Sequence, residues 1–238
     1  MPADVPFLRA ARAALPSDGA ARFADRAAAG RRLAALLTHY RGGPALALAL
    51  TPGGVVVAFE LARALRLALD VFVAQEFWVR GWPAVVAGAV CEGGGLCLNA
   101  AALRLPGVVI CDIWREAQRA QDQVARLVAR YRGAHPPALL PRSPAILVDD
   151  GLGSGLAHLA AMRVLRRFHP QRFVVATPFG SEAALACVAR TADEVVCLER
   201  AAPGSADLAA RWIWPVGDDE AAELLVRTQD GQGGHSPS

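Results

Sequence analysis

Five short apolar runs punctuate this chain: Ala45–Leu50, Asp70–Ala74, Arg142–Asp150, Arg172–Ala176 and Glu194–Leu198. Runs this short and this continuously apolar read as strands buried on both faces. Between them lie stretches of helical period. Phe23, Leu33, Leu36, Leu37 and Tyr40 place a helix over Arg22–Tyr40, stopped by Gly42-Gly43-Pro44. Val55–Leu67, Ser154–Phe168 and Ser181–Ala189 read as three more helices. A strand, a turn, a helix and another strand in that order need a crossover connection, so the sheet is expected to be parallel and the class α/β.

The middle of the chain breaks this rhythm. Gln75–Pro83 reads as an irregular, aromatic-rich loop. Val85–Cys91 and Leu96–Asn99 alternate as strands around Glu92-Gly93-Gly94-Gly95, a hairpin signal. Val108–Cys111 is another apolar run. Ile113–Tyr131 is a long polar helix with few apolar anchors, expected on the surface or against a partner. Asp218–Arg227 reads as a short helix whose acidic first turn suits the helix dipole. Residues 1–20 read as a flexible N-terminal extension, 21–228 as one domain, and 229–238 as a disordered tail.

Composition narrows the chemistry. Hydrophobic residues make up 54% of the 238, which supports a packed core. No apolar stretch is long enough for a membrane span, and the first residues lack the continuous apolar core of a secretory signal, so the expected location is cytoplasmic. All 25 basic residues are arginine. Without lysine there is no Schiff-base chemistry and no Walker A loop. The net charge of +3 and the absence of a basic block give no support to nucleic-acid binding. The cysteines at 91, 97, 111, 187 and 197 form no C-x-x-C pair and read as reduced thiols.

The candidate chemistry sits at the end of one apolar run, Ile146-Leu147-Val148-Asp149-Asp150-Gly151-Leu152-Gly153-Ser154-Gly155. A buried strand ends in paired acids, and a glycine-rich turn opens the next helix. Such a turn can hold a phosphate on backbone N–H groups at a helix start. The acids can hold Mg²⁺ or the hydroxyls of a sugar.

Further matches point to a family. Phe23-Ala24-Asp25-Arg26-Ala27-Ala28-Ala29-Gly30-Arg31-Arg32-Leu33-Ala34 fits the opening F-x-D-R-x-x-A-G-x-x-L-A. Gly88–Gly94 fits G-A-V-x-E-G-G, Ile146–Ala157 fits an apolar strand followed by D-D-G-[IVL]-A-T-G-x-[ST], and Ala192–Leu198 fits A-D-E-V-V-C-L. Over about residues 22–228 the chain resembles a bacterial subgroup of type I phosphoribosyltransferases. The resemblance implies a three-layer α/β fold with a central, mostly parallel sheet and a small hood built partly from the N-terminal segment. It implies that Asp149 and Asp150 bind the ribose hydroxyls of phosphoribosyl pyrophosphate (PRPP) with Mg²⁺ nearby. Gly151, Leu152, Gly153, Ser154, Gly155, Leu156 and Ala157 would wrap the 5′-phosphate. Thr51, Pro52, Gly53 and Gly54 would form the pyrophosphate loop, where the family often has a cis peptide. Transfer of the phosphoribosyl group to a nitrogen acceptor would release pyrophosphate. Nothing in the chain fixes its oligomeric state, for which a homodimer is only the general prior.

The chain departs from the family at charged positions. Thr51-Pro52-Gly53-Gly54 lacks the arginine of P-R-G-G, and Gln75-Glu76 stands where relatives carry Arg-Lys. Ser154 replaces threonine and Ala157 replaces a hydroxyl residue. Each charge-assisted contact is worth about 1.5–3 kcal/mol, so these losses weigh on affinity for a polyanion. Arg80 and Trp78 are candidate compensating contacts, and Arg26 is another arginine to watch. Two alternatives stay open: a family member without turnover that senses nucleotides or binds a partner, and a methyltransferase using S-adenosylmethionine, whose D-x-G-x-G-x-G turn Asp149–Gly155 also fits. The second lacks an acid after the next strand and has little chain left for the rest of that fold.

Overall fold

The computed structural model describes residues 23–133, 142–201 and 216–232. In chain order the elements are α1 (Arg26–Leu36), β1 (Leu46–Ala49), α2 (Pro52–Leu65), β2 (Ala68–Val71), β3 (Ala74–Val79), β4 (Trp82–Cys91), β5 (Gly95–Leu98), α3 (Ile110–Tyr131), β6 (Ala145–Val148), α4 (Leu156–Leu165), β7 (Phe173–Ser181), α5 (Glu182–Val188), β8 (Glu194–Ala201) and α6 (Asp218–Gln232). Five strands pair in the order β2-β1-β6-β7-β8, all parallel. Strands β3, β4 and β5 form a separate antiparallel sheet.

Side-chain alternation along the parallel strands sorts the core into two halves. Ala47, Ala49, Ile146, Val148, Val174 and Ala176 face one way and pack with Leu33 of α1, Leu61 of α2 and Leu225 of α6. Leu46, Leu48, Leu147 and Val175 face the other way and pack with Ala160 and Met162 of α4 and Leu185 of α5. This is the three-layer arrangement that an apolar parallel sheet requires.

Several boundaries differ from the sequence reading, and each has a physical reason. Gln75–Val79, read as loop, is most of β3. Phe77 and Val79 point inward while Trp78 is exposed, a strand alternation that the charged Glu76 and two aromatics obscured. The Val108–Cys111 run is not a strand. Val109 and Ile110 are each 53% exposed, and α3 begins at Ile110. Helix α3 is better anchored than its polarity suggests, with Ile113, Ala117, Ala120, Val124, Leu127 and Tyr131 all buried on one stripe. The described residues contain no cis peptide; Thr51 is the N-cap of α2 and Pro52 its first residue, a position where a trans proline is favoured. The small sheet takes the place of the hood, whereas α1 packs on α2 and against β7 and β8. Helix α6 runs on to Gln232, past the expected end at Arg227. The N-terminal extension, 1–20, and the last six residues, 233–238, lie outside the described residues.

A buried ion cluster ties the small sheet to α3. Arg132, just past the end of α3, bonds both oxygens of Glu92 and the carbonyl of Val71 (2.6 Å), with Asp70 at 3.9 Å. Glu92 also accepts the Val73 N–H at 2.9 Å. Among the described residues no helix is long and apolar enough to cross a membrane.

Candidate functional site

Strand order reverses between β1 and β6. The chain leaves β1 toward β2 on one side and leaves β6 toward β7 on the other. In open α/β sheets the crevice beyond the carboxyl ends of strands at such a switch point is where ligands bind. Ala49 pairs with Val148, so Thr51, two residues beyond Ala49, meets Asp149 and Asp150, which follow Val148.

Thr51 works twice. Its hydroxyl accepts the Gly54 N–H at 3.0 Å, capping α2, and donates to Asp149 Oδ1 at 2.5 Å. The Asp150 N–H donates to the same oxygen at 2.9 Å. These contacts favour the charged carboxylate, but burial outweighs them, and neighbouring Asp150 and Glu76 add repulsion. Asp149, 6% exposed, is therefore held well above the ordinary carboxylate range. Asp150 pairs with Arg26 Nε of α1 at 2.9 Å. A Cβ on Gly53 would fall 2.0 Å from Asp150 Oδ2, so only glycine lets the helix start come this close to the acids.

The loop after the acids is pinned to the sheet by Leu152, which exchanges backbone hydrogen bonds with Phe179 (2.9 Å) and Ser181 (3.0 Å). Gly155 turns the chain into α4 with φ of +79°. Among the described residues, the N–H groups of Gly151, Gly153, Ser154 and Gly155 meet no acceptor. The Ser154 hydroxyl accepts the Leu156 N–H at 3.0 Å and donates to Glu76 of β3. Glu76 forms no ion pair among the described residues, and burial holds its carboxyl above the usual range.

These groups line a cleft of about 200 Å³, walled by Thr51, Glu76, Trp78, Asp149, Asp150 and Gly153, with Gly155, Ala157 and His158 at the α4 side. The structure thus brings together Thr51, the two acids and most of the 151–157 loop. Pro52, Gly53 and Gly54 back the acids from inside α2, and Leu156 is buried. Trp78 borders the cleft and is 43% exposed. Arg80 lies instead on a second cavity of about 330 Å³ between β3 and α3, with Arg119 and Glu116; Glu76 and Trp78 form the wall shared with the cleft.

His158 escaped the sequence reading. It is 1% exposed, and its Nε2 has no hydrogen-bond partner among the described residues. Burial holds its pKa down to about 3, so the ring is neutral. The only signal in the chain was a lone histidine within the apolar run Leu156-Ala157-His158-Leu159-Ala160-Ala161. The Glu76–Ser154 contact also escaped, because it joins residues 78 apart in sequence.

An open parallel sheet with an acid pair and a glycine loop at its switch point is the α/β arrangement in which a phosphorylated or sugar ligand can be held. Comparison with known proteins makes the class specific. No family model matches the chain. Two curated proteins from two strains of Mycobacterium tuberculosis, each named "Putative phosphoribosyl transferase", are 35% identical over 176 residues, 74% of this chain. The alignment spans 40% of the length of those relatives. A solved structure from Thermus thermophilus, TT1426, is 35% identical with a TM-score of 0.68, covering 87% of this chain and 99% of that one. Over most of its length the chain is thus similar to proteins named as phosphoribosyl transferases, of which it spans less than half.

Proposed function

We propose that this cleft binds a phosphoribosyl compound, PRPP in the first instance, with Mg²⁺, and transfers the phosphoribosyl group to a nitrogen acceptor. The observation that carries this reading is the convergence of two carboxylates with a loop in which four N–H groups lack acceptors among the described residues, at the switch point of the sheet. The carboxylates of Asp149 and Asp150 suit the two ribose hydroxyls. The Gly151–Ala157 loop suits the 5′-phosphate. The Thr51–Gly54 turn lies beside the acids, where pyrophosphate would leave. In the reaction the bond from ribose C1 to a pyrophosphate oxygen breaks, a C1–N bond forms, and the acceptor nitrogen sheds its proton. Positive charge gathers on the sugar ring as the first bond loosens, and the adjacent carboxylates stabilise it. The scaffold's part would be to hold both reactants in line.

The donor set fits a hard divalent cation. Asp149 and Asp150 are neighbouring oxygen donors, and Asp149 is a buried carboxylate whose charge is poorly compensated. Among the described residues no three such groups form a cage on their own, so ligand oxygens would complete the coordination, a common arrangement for Mg²⁺. The cation would neutralise charge on the departing pyrophosphate.

One observation favours a second reading, a sensor without turnover. Arg26 is engaged by Asp150, and Arg80 faces the neighbouring cavity, so neither restores the missing loop arginine. Calorimetry with PRPP and Mg²⁺, alongside S-adenosylmethionine, separates the readings when combined with an assay for released pyrophosphate. PRPP binding that disappears in Asp149→Asn/Asp150→Asn, with pyrophosphate release, supports transfer. Binding without release supports the sensor. Binding of S-adenosylmethionine alone overturns both.

A further inference from the structure

We propose that Glu76 is the specificity-determining residue of this cleft: its carboxylate sits on the phosphate loop as a resident anion, and a phosphorylated ligand binds by driving it into the neighbouring cavity, toward Arg80 and Arg119. The inference rests on the phosphoribosyl reading above and says which competitor that ligand must beat.

Three observations carry it. First, the Ser154 hydroxyl, the one side-chain donor on the loop, is given to Glu76. A loop built to attract an anion has captured one from its own chain, and a phosphate cannot share that donor without facing the carboxylate at close range. Second, Glu76 stands on the wall between the two cavities. On the cleft side it faces Ser154 and, further off, the like charge of Asp149. On the far side stand Arg80, whose nearest acid is Asp112 at 3.9 Å, and Arg119, paired with Glu116 at 2.7 Å. Both arginine side chains are about two-thirds exposed (66% and 65%), so their pairs are weak and a second carboxylate can be received there. Third, the cleft is incomplete with Glu76 in it. His158 lines the cleft, and among the described residues its buried Nε2 has no partner and four loop N–H groups have no acceptor. A carboxylate bonded to Ser154 alone leaves these groups unmet, whereas a phosphate with three acceptor oxygens can meet several. Glu76 caps the loop when it is empty, and binding becomes an exchange of one anion for another.

The test is calorimetric titration of the full chain with ribose 5-phosphate, with unphosphorylated ribose as control, in wild type and Glu76→Gln. Glutamine keeps a hydrogen-bond partner for Ser154 but removes the charge, so the fold is preserved. Glu76→Gln should tighten ribose 5-phosphate by roughly 10- to 100-fold, the size of one charge-assisted contact, and leave ribose unchanged. Arg80→Gln/Arg119→Gln should weaken ribose 5-phosphate in the wild type and have little effect in the Glu76→Gln background, where no charge needs a new home. Measurable binding that is equal or weaker in Glu76→Gln overturns the resident-anion inference and leaves the phosphoribosyl reading standing. Failure of both proteins to bind ribose 5-phosphate and PRPP at millimolar concentration overturns the phosphoribosyl reading, and this inference with it.

Discussion

Two buried polar clusters sit within the same fold and behave in opposite ways. Around Arg132 every charge has an answer. The guanidinium serves both oxygens of Glu92 and a backbone carbonyl, and Glu92 takes a backbone N–H besides, with side-chain exposures of only 7% and 10%. At the cleft three carboxylates approach one another, Arg26 pairs with one of them, and the Nε2 of a neutral histidine has no hydrogen-bond partner among the described residues. The first cluster lowers the cost of joining two sheets. The second leaves that cost standing. Buried polarity alone therefore does not mark a site; uncompensated buried polarity does, because a fold keeps it only when something else completes it.

The sharpest way to break this contrast is to uncompensate the first cluster. Arg132→Met leaves Glu92 buried and unpaired and should destabilise the protein by about 3–5 kcal/mol, read from urea unfolding. A loss below about 1 kcal/mol would show that the two clusters do not differ as argued. Asp149→Asn should have the opposite balance. It removes a charge that burial disfavours, so the unfolding midpoint at pH 8 should rise, while affinity for PRPP with Mg²⁺ should fall about 100-fold or more. The sign follows from linkage. A carboxyl raised in the folded state contributes its stability in full below the unfolded value of 3.8, and that contribution is lost as pH climbs through the folded value. The gain from asparagine should accordingly vanish at low pH.

His158 provides a smaller test. Its pKa falls from 6.5 to about 3 on folding, so its contribution to stability is complete above 6.5 and drains away as pH drops toward 3. Between those limits it should add a slope of about 1.4 kcal/mol per pH unit, and His158→Met should flatten the stability profile between pH 6 and 4 by up to that amount. An unchanged profile would mean that the ring is not held neutral. The smallest effect belongs to Thr51. Thr51→Val removes the helix cap and the hydroxyl given to Asp149, which should cost about 1 kcal/mol of stability. It should weaken PRPP binding much less than Asp149→Asn, as titration of the two variants side by side would show.

Much of the parallel sheet was legible because its central strands β1 and β6 are short and wholly apolar, and a turn follows each. Ala45–Leu50 and Arg142–Asp150 contain β1 and β6 within a residue or three of their ends. β3 was hidden because Gln75, Glu76 and Trp78 face partly or wholly toward solvent or the cleft, which blurs the period of two. The start of α3 was hidden because Val109 and Ile110 are apolar yet exposed, so hydrophobicity pointed the wrong way. In the cleft, Asp149, Asp150 and the glycine loop announced themselves by adjacency, since the chemistry lies within one turn of chain. Thr51 and Gly53 were marked as loop residues, but their work is done as a helix start pressed against the acids.

Local pattern by itself settled the α/β class, the acid pair and the turn that follows it, because strand burial, helix period and loop conformation depend on near neighbours in the chain. Only the tertiary structure decided that Glu76 rests on Ser154, that Arg26 answers Asp150, and that His158 Nε2 has no partner among the described residues. Those facts are set by distances between residues far apart in sequence and by how deeply packing removes each group from water, and no periodicity in one dimension encodes either.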